Sequence, residues 1–310
     1  METRAIGQLR VSVAGLGCNN FGMRIDEVRA QAVVDAALDA GVSSFDTADL
    51  YGGGGTSEEF LGRALGARRD DVVSTTKFGM LQPPAGLTGG SPDWVPRAAE
   101  DSLRRLGTDR IDLYVLHQPD AETPIGDTLE ALDALVRAGK VLEIGCSNFS
   151  STQLDEAAAA AAERGVRPFA NVQNEYSLVQ RRPERNVIGA LERHAMTLTP
   201  YFPLASGLLT GKYRRGEAPP EGTRLAAWGE RGAKLLADEQ MDLVERLDAF
   251  ARAHDHTLHE LALSWLADKP VVATIIAGAT RPEQVRANAA ATVAWKLTDA
   301  ERAELEGILA

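Results

Sequence analysis

Short apolar runs alternate with helical patterns along almost the whole of this 310-residue chain. That alternation restricts the fold strongly, because strand, helix and strand in succession close a parallel, right-handed βαβ unit. After an expected hairpin (Ala5-Ile6, a Gly7-Gln8 turn, then Leu9 to Val13), the first strand of the series reads Val13 to Leu16. A helix follows from about Glu27 to Ala40, with Val33, Ala36, Ala37 and Ala40 on one face and Gly41 as its stop. The second strand ends at Asp46, and Thr56-Ser57-Glu58-Glu59 reads as a capping box opening the next helix. Strands Asp71 to Thr76, Ile111 to Leu116 and Val141 to Ser147 are separated by helices Trp94 to Leu106 and Gly126 to Ala138. Strands near Phe169 to Gln173, Thr197 to Tyr201 and Val272 to Ala277 complete a count of eight.

Eight such units predict a (β/α)8 TIM barrel rather than an open doubly wound sheet, as one domain over residues 1–310. Two longer inserts break the rhythm after the third and seventh strands, Phe78 to Gly90 and Leu204 to about Glu239. The second is rich in Gly, Arg and Pro and reads as a lid over a ligand. Thr257-Leu258-His259-Glu260 and Thr298-Asp299-Ala300-Glu301 read as capping boxes of the last helices. The first leaves His254, His256 and His259 at a solvated helix start rather than in a metal site.

A formal charge of −11 without any Lys/Arg cluster argues against a nucleic-acid partner. Cys18 and Cys146 lie far apart, so neither a disulfide framework nor a zinc knuckle is expected. The opening METRAIGQLRVS lacks an apolar signal core, and no stretch reaches the roughly 18 apolar residues of a membrane span. A cytoplasmic setting follows as the expectation. Gly15-Leu16-Gly17 does not continue to GxGxxG, and the run Gly207 to Lys212 is one residue short of a P-loop. Neither a Rossmann site nor nucleotide hydrolysis is expected.

Chemistry concentrates where strands run out. Asp46 closes one apolar run, Lys77 closes DVVSTTK, His117 closes IDLYVLH, and Tyr51 follows Asp46 in FDTADLYGGGG. Alone, Asp46 reads as a cap, Lys77 as a snorkelling surface lysine and His117 as a structural histidine. Together they can protonate a carbonyl oxygen. A phenol with a reference pKa near 10 is a poor acid unaided, and a neighbouring Lys77 ammonium would lower it. Asp46 would keep Lys77 charged, and a neutral His117 would donate a hydrogen bond to the substrate oxygen. No activated Ser or Cys accompanies them, so a hydride from a bound cofactor would complete the reaction.

FDTADLYGGG, STTKFG, DLYVLH, GKVLEIGCSNF, NVQNEYSL and IIAGATRPEQVRAN, in this order, resemble the aldo-keto reductase superfamily over nearly the whole chain. The resemblance is to the bacterial branch related to the potassium-channel β-subunits. It implies a (β/α)8 barrel that uses NADPH (NADP+), with Tyr51 as general acid supported by Asp46, Lys77 and His117. It also implies that Ser147, Asn148 and Gln173 hold the nicotinamide carboxamide and that Tyr201 stacks on the nicotinamide. Leu204, Ser206, Gly207, Leu209 and Lys212 match the loop covering the pyrophosphate. Gly278, Thr280, Arg281, Gln284 and Asn288 match the adenosine-binding segment, where Arg281 and a helix N-terminus suit a 2′-phosphate. The chain departs from the family at Gln284 and Ala287, where many members carry Arg and Glu, and at Phe202, which replaces the Ser of a Tyr-Ser-Pro-Leu run. It also lacks the long C-terminal loop of the aldose-reductase branch.

The expected activity is therefore NADPH-dependent reduction of an aldehyde or ketone, with Asn20, Phe21, Phe78, Trp94 and Trp228 as expected pocket walls. A small carbonyl compound is the expected partner, with no membrane or nucleic acid, and the protein is expected to be a monomer or weak homo-oligomer. Two alternatives are an NADPH-binding redox sensor with little turnover and a Schiff-base aldolase using Lys77 as nucleophile.

Overall fold

The computed structural model describes residues 1–230, 232, 236 and 238–310. Eight parallel strands form a closed barrel, in the order β10, β3, β4, β5, β6, β7, β8 and β9. They are β3 (Ala14–Gly17), β4 (Ser44–Asp46), β5 (Val73–Phe78), β6 (Ile111–Leu116), β7 (Val141–Ser147), β8 (Asn171–Glu175), β9 (Thr197–Tyr201) and β10 (Ile275–Gly278). β1 (Thr3–Ile6) and β2 (Leu9–Ser12) form the expected hairpin about Gly7-Gln8. The expected strands are all present, three of them (β6, β7 and β9) with the expected limits, whereas β5 begins two residues later and runs on through Lys77 to Phe78.

Side chains alternate across each strand, so one set fills the barrel and the other meets the surrounding helices. On β5, Val73, Thr75 and Lys77 share one phase, and Ser74, Thr76 and Phe78 the other. On β6, Leu113 and Val115 pack with Val73 and the hairpin residues Ile6, Leu9 and Val11, forming a small core separate from the main one. The hairpin thus closes the barrel end opposite the strands' C-termini. Tyr114 and Phe78 lie in the outer phase, where their rings stack 4.5 Å apart between barrel and helices.

The capping boxes at Thr257 and Thr298 are present, each threonine accepting from a glutamate N–H while that glutamate reaches back. The one expected at Thr56 is not. Helix Thr56–Leu65 is preceded by Gly55 in a left-handed conformation, with no side-chain cap. Glu58 turns inward instead, completely buried, and accepts from Arg105 Nε and Thr76 Oγ1 at 2.5 Å each. A partly buried guanidinium competes better for this carboxylate than a helix-end amide.

The insert at residues 79–94 is held down by Gly90 N–H donating to Asp120 and by Thr128 Oγ1 donating to the Gly90 carbonyl. The second insert begins with a tight 3-10 segment, Ala205–Thr210, and includes a short helix, Arg224–Ala227, capped by Thr223. Residues 231, 233–235 and 237 of that insert lie outside the described residues. Among the described residues, no helix is long and apolar enough to cross a membrane.

Candidate active site

Because the barrel strands are parallel, their C-terminal ends gather at one mouth, and inward-phase residues there face a common space. Asp46 ends β4, Lys77 lies one residue before the end of β5, and His117 directly follows β6. Past β4 the chain stays tied to β5 through Thr47 N–H to the Thr75 carbonyl and Asp49 N–H to the Lys77 carbonyl. This extension carries Tyr51 over the mouth. A turn of four glycines, all with positive φ, then reverses the chain into the next helix. At Gly52 a Cβ would meet the Phe21 carbonyl oxygen at 2.9 Å, and at Gly55 it would meet Arg105 Nε at 2.3 Å. The turn is therefore built for close approach, beyond the flexibility that its composition suggests.

The four residues meet as expected. Lys77 Nζ donates to Asp46 Oδ1 at 2.5 Å and to the Thr47 carbonyl at 2.8 Å, and lies 3.5 Å from the Tyr51 hydroxyl. That hydroxyl is also 3.5 Å from His117 Nε2, with the two rings edge to face. Gln173 Nε2 donates to the second Asp46 oxygen at 2.8 Å. Asn148, held in a left-handed conformation, donates to the His117 carbonyl and accepts from the Tyr201 hydroxyl at 2.7 Å. Ser147 Oγ donates to the Gln173 carbonyl.

The electrostatics follow from this packing. Burial and the Lys77 ammonium push His117 down to about 3, so its imidazole is neutral. Burial disfavours the Lys77 ammonium, but Asp46 and Tyr51 outweigh it and hold the pKa above the ordinary lysine value. Tyr51 corrects the sequence expectation. Burial raises its pKa by more than Lys77 lowers it, so the net direction is upward and the phenol keeps its proton.

These residues line one end of a cavity of about 910 Å³. Ser147, Asn148, Gln173, Tyr201, Leu204, Ser206, Gly207, Lys212, Gly278, Thr280, Arg281, Gln284 and Asn288 line it too, as does Asn20. Leu209 does not: it is fully buried, its side chain serving the core beneath the 3-10 segment. Phe21 and Phe78 are likewise fully buried, the latter because it follows inward-pointing Lys77 and takes the opposite face. Trp94 and Trp228 pack against the main core and are not on the cavity wall among the described residues. Of the expected pocket walls only Asn20 remains.

Sequence reading missed Arg24, Arg29, Arg224 and His259, all of which line the cavity. Arg224 donates to Asn20 Oδ1 at 3.1 Å and lies 5.8 Å from the Phe202 ring centre, which gives the Phe202 departure a structural context. Arg24 reaches the Gly222 carbonyl, joining the loop after β3 to the second insert. The Arg-rich composition of that insert was the available signal for Arg224. His259 is not solvated as its helix-start position implied, but partly buried against Asn288.

The same closed eight-stranded barrel is found in known proteins. The profile of the Aldo/keto reductase family matches residues 14–310. A probable voltage-gated potassium channel subunit beta from Arabidopsis thaliana is 33% identical over 296 residues, covering 93% of this chain and 90% of the relative. An aldo-keto reductase of Schizosaccharomyces pombe, yakc, named with NADP(+), is 35% identical over 319 residues, covering 98% and 90%. The holo form of aldo-keto reductase AKR11C1 from Bacillus halodurans superposes with a TM-score of 0.82 at 32% identity, covering 99% and 96%. The chain belongs to the aldo/keto reductase family, whose members are oxidoreductases.

Proposed function

We propose that this protein is an NADPH-dependent reductase of aldehyde or ketone carbonyls, with Tyr51 as the proton donor. The observation that carries the reading is the junction of Tyr51, Lys77, Asp46 and His117 at one end of a long cation-lined cavity. Apart from the Lys77–Asp46 pair, the cavity wall carries, among the described residues, Arg24, Arg29, Lys212, Arg224 and Arg281 against one carboxylate, Glu221. In a chain of charge −11 that excess marks a place for phosphates. Burial and neighbouring arginines lower the Lys212 pKa, the mark of a cation short of counter-charge. Gln173 Oε1 is buried without a hydrogen-bond partner, suiting a carboxamide N–H2. The residues present thus fit a nicotinamide dinucleotide, and yakc is named with NADP(+).

When bound, NADPH supplies the hydride. The protein supplies the rest. The Tyr51 hydroxyl gives its proton to the substrate oxygen, and the nearby Lys77 ammonium favours the phenolate left behind. His117, neutral, orients the oxygen from Nε2. Asp46 holds Lys77 in place and charged. Help of this kind is worth roughly 10²–10⁴ in rate. Tyr51→Phe should still quench NADPH fluorescence on mixing, while reduction of a panel of aldehydes falls by about that factor. Retained turnover would remove Tyr51 from the role.

The similarity to a channel subunit favours one second reading, an NADPH-binding sensor with little turnover. Tight NADPH binding without reduction across a broad carbonyl panel would select it.

A further inference from the structure

His259 lies on the cavity wall, away from the four residues that do the proposed chemistry, and is not part of the adenosine-binding motif read from the sequence. Its Nε2 is 2.9 Å from Asn288 Oδ1, bridging helix Leu258–Ala267 and helix Pro282–Thr292, which pack side by side. Burial lowers its pKa below the ordinary histidine value, so the ring is neutral near pH 7 and one nitrogen donates while the other accepts. The neighbouring polar groups are already committed: Gln284 Oε1 accepts from Thr280 N–H and Oγ1, and the Asn288 backbone carbonyl accepts from Thr292 Oγ1. The Asn288 amide nitrogen, by contrast, has no protein acceptor among the described residues, and Asn288 lines the cavity.

We infer that His259 is a positioning residue for cofactor binding: it donates from Nε2 to Asn288 Oδ1 and so turns the Asn288 N–H2 toward the cavity, to meet a ring-nitrogen acceptor of adenine. An asparagine amide can face either way, with opposite meaning for a ligand. Fixed by the imidazole, it presents a donor. Ring nitrogens of a purine accept, so the amide donor suits an adenine edge, and a neutral amide, unlike a guanidinium, adds no charge for a phosphate. The role is distinct from that of Arg281, whose charge addresses phosphate. The inference rests on the nicotinamide-dinucleotide reading above.

The test is equilibrium binding, read by quenching of protein fluorescence, of NADPH, NADH and reduced nicotinamide mononucleotide, which lacks the adenosine half. The variants are His259→Ala and His259→Gln, the latter keeping an amide donor. His259→Ala should weaken NADPH and NADH alike, by about threefold to tenfold for one lost neutral hydrogen bond. The mononucleotide affinity should not change, and His259→Gln should recover most of the loss. Unchanged dinucleotide affinity in His259→Ala would overturn the inference. So would a loss confined to NADPH, which would place the effect at the 2′-phosphate, or an equal loss for the mononucleotide, which would mark general damage to the fold. Failure of the unsubstituted protein to bind either dinucleotide would overturn the cofactor reading itself.

Discussion

A lysine with 2% of its surface exposed stays charged only beside a carboxylate, and Lys77 has Asp46 at 2.5 Å. Removing one member of such a pair leaves the other uncompensated, at a cost of about 3–5 kcal/mol. Asp46→Asn should therefore lower stability by that order in urea unfolding, while also lowering carbonyl reduction; unchanged stability would contradict the buried pair. His117 gives a pH prediction with a definite sign. Its folded pKa of about 3 lies below the unfolded value near 6.5, so between them the unfolded chain binds a proton that the native state refuses. Stability consequently falls as pH drops through that window. From pH 7 to 5, His117→Gln should lose about 2 kcal/mol less than the parent. At this scale the sequence was a good guide to the mouth of the barrel, because each of those groups interrupts an apolar strand. It was a poor guide to pocket walls. Phe21 and Phe78 looked available as aromatics near the motifs, but strand phase and packing bury them.

Among elements, the segment from Asp46 to the helix at Thr56 carries the most contrast. Its glycines form a turn in which Gly52 and Gly55 face contacts that leave no room for a Cβ. Its Thr56-Ser57-Glu58-Glu59 run read as a cap, yet Glu58 is taken by Arg105 from helix Val95–Leu106. Neither partner is visible locally, since both come from elsewhere in the chain. The same segment carries Asp49, 1% exposed, with neither carboxyl oxygen well hydrogen-bonded and only weak support from the Leu50 N–H. Burial and the Glu58 carboxylate raise it to about 7. Its folded pKa exceeds the unfolded value, so its contribution is fully present below the unfolded value near 4 and is lost as pH rises from there through about 7. Asp49→Asn, which mimics the protonated form, should match the parent in stability near pH 4 and exceed it at pH 8 by a few kcal/mol. A parent more stable than the variant at pH 8 would show that Asp49 is ionised and well paired.

At the scale of the whole molecule, alternation of strand and helix made the barrel legible, because few closed arrangements satisfy eight parallel repeats. The cationic cavity was less so. Arg24, Arg29, Arg224 and His259 come from separate segments and converge only once the barrel has closed. The hairpin adds a stability contribution remote from all of them. Ile6 is 1% exposed in the small core it shares with Val73, Leu113 and Val115. Ile6→Ala should cost about 2–5 kcal/mol in unfolding while leaving the NADPH affinity of the folded protein unaltered. A matching fall in affinity would mean that the two barrel ends are coupled.

That hairpin also decides how traffic must run. With its far end stoppered and its interior packed with side chains, the barrel opens at the mouth where Tyr51 stands. On the proposed chemistry, the proton that restores its hydroxyl after each turnover must come down the passage by which the alcohol leaves. Reloading the acid and emptying the site then share one doorway, so whatever narrows it slows both.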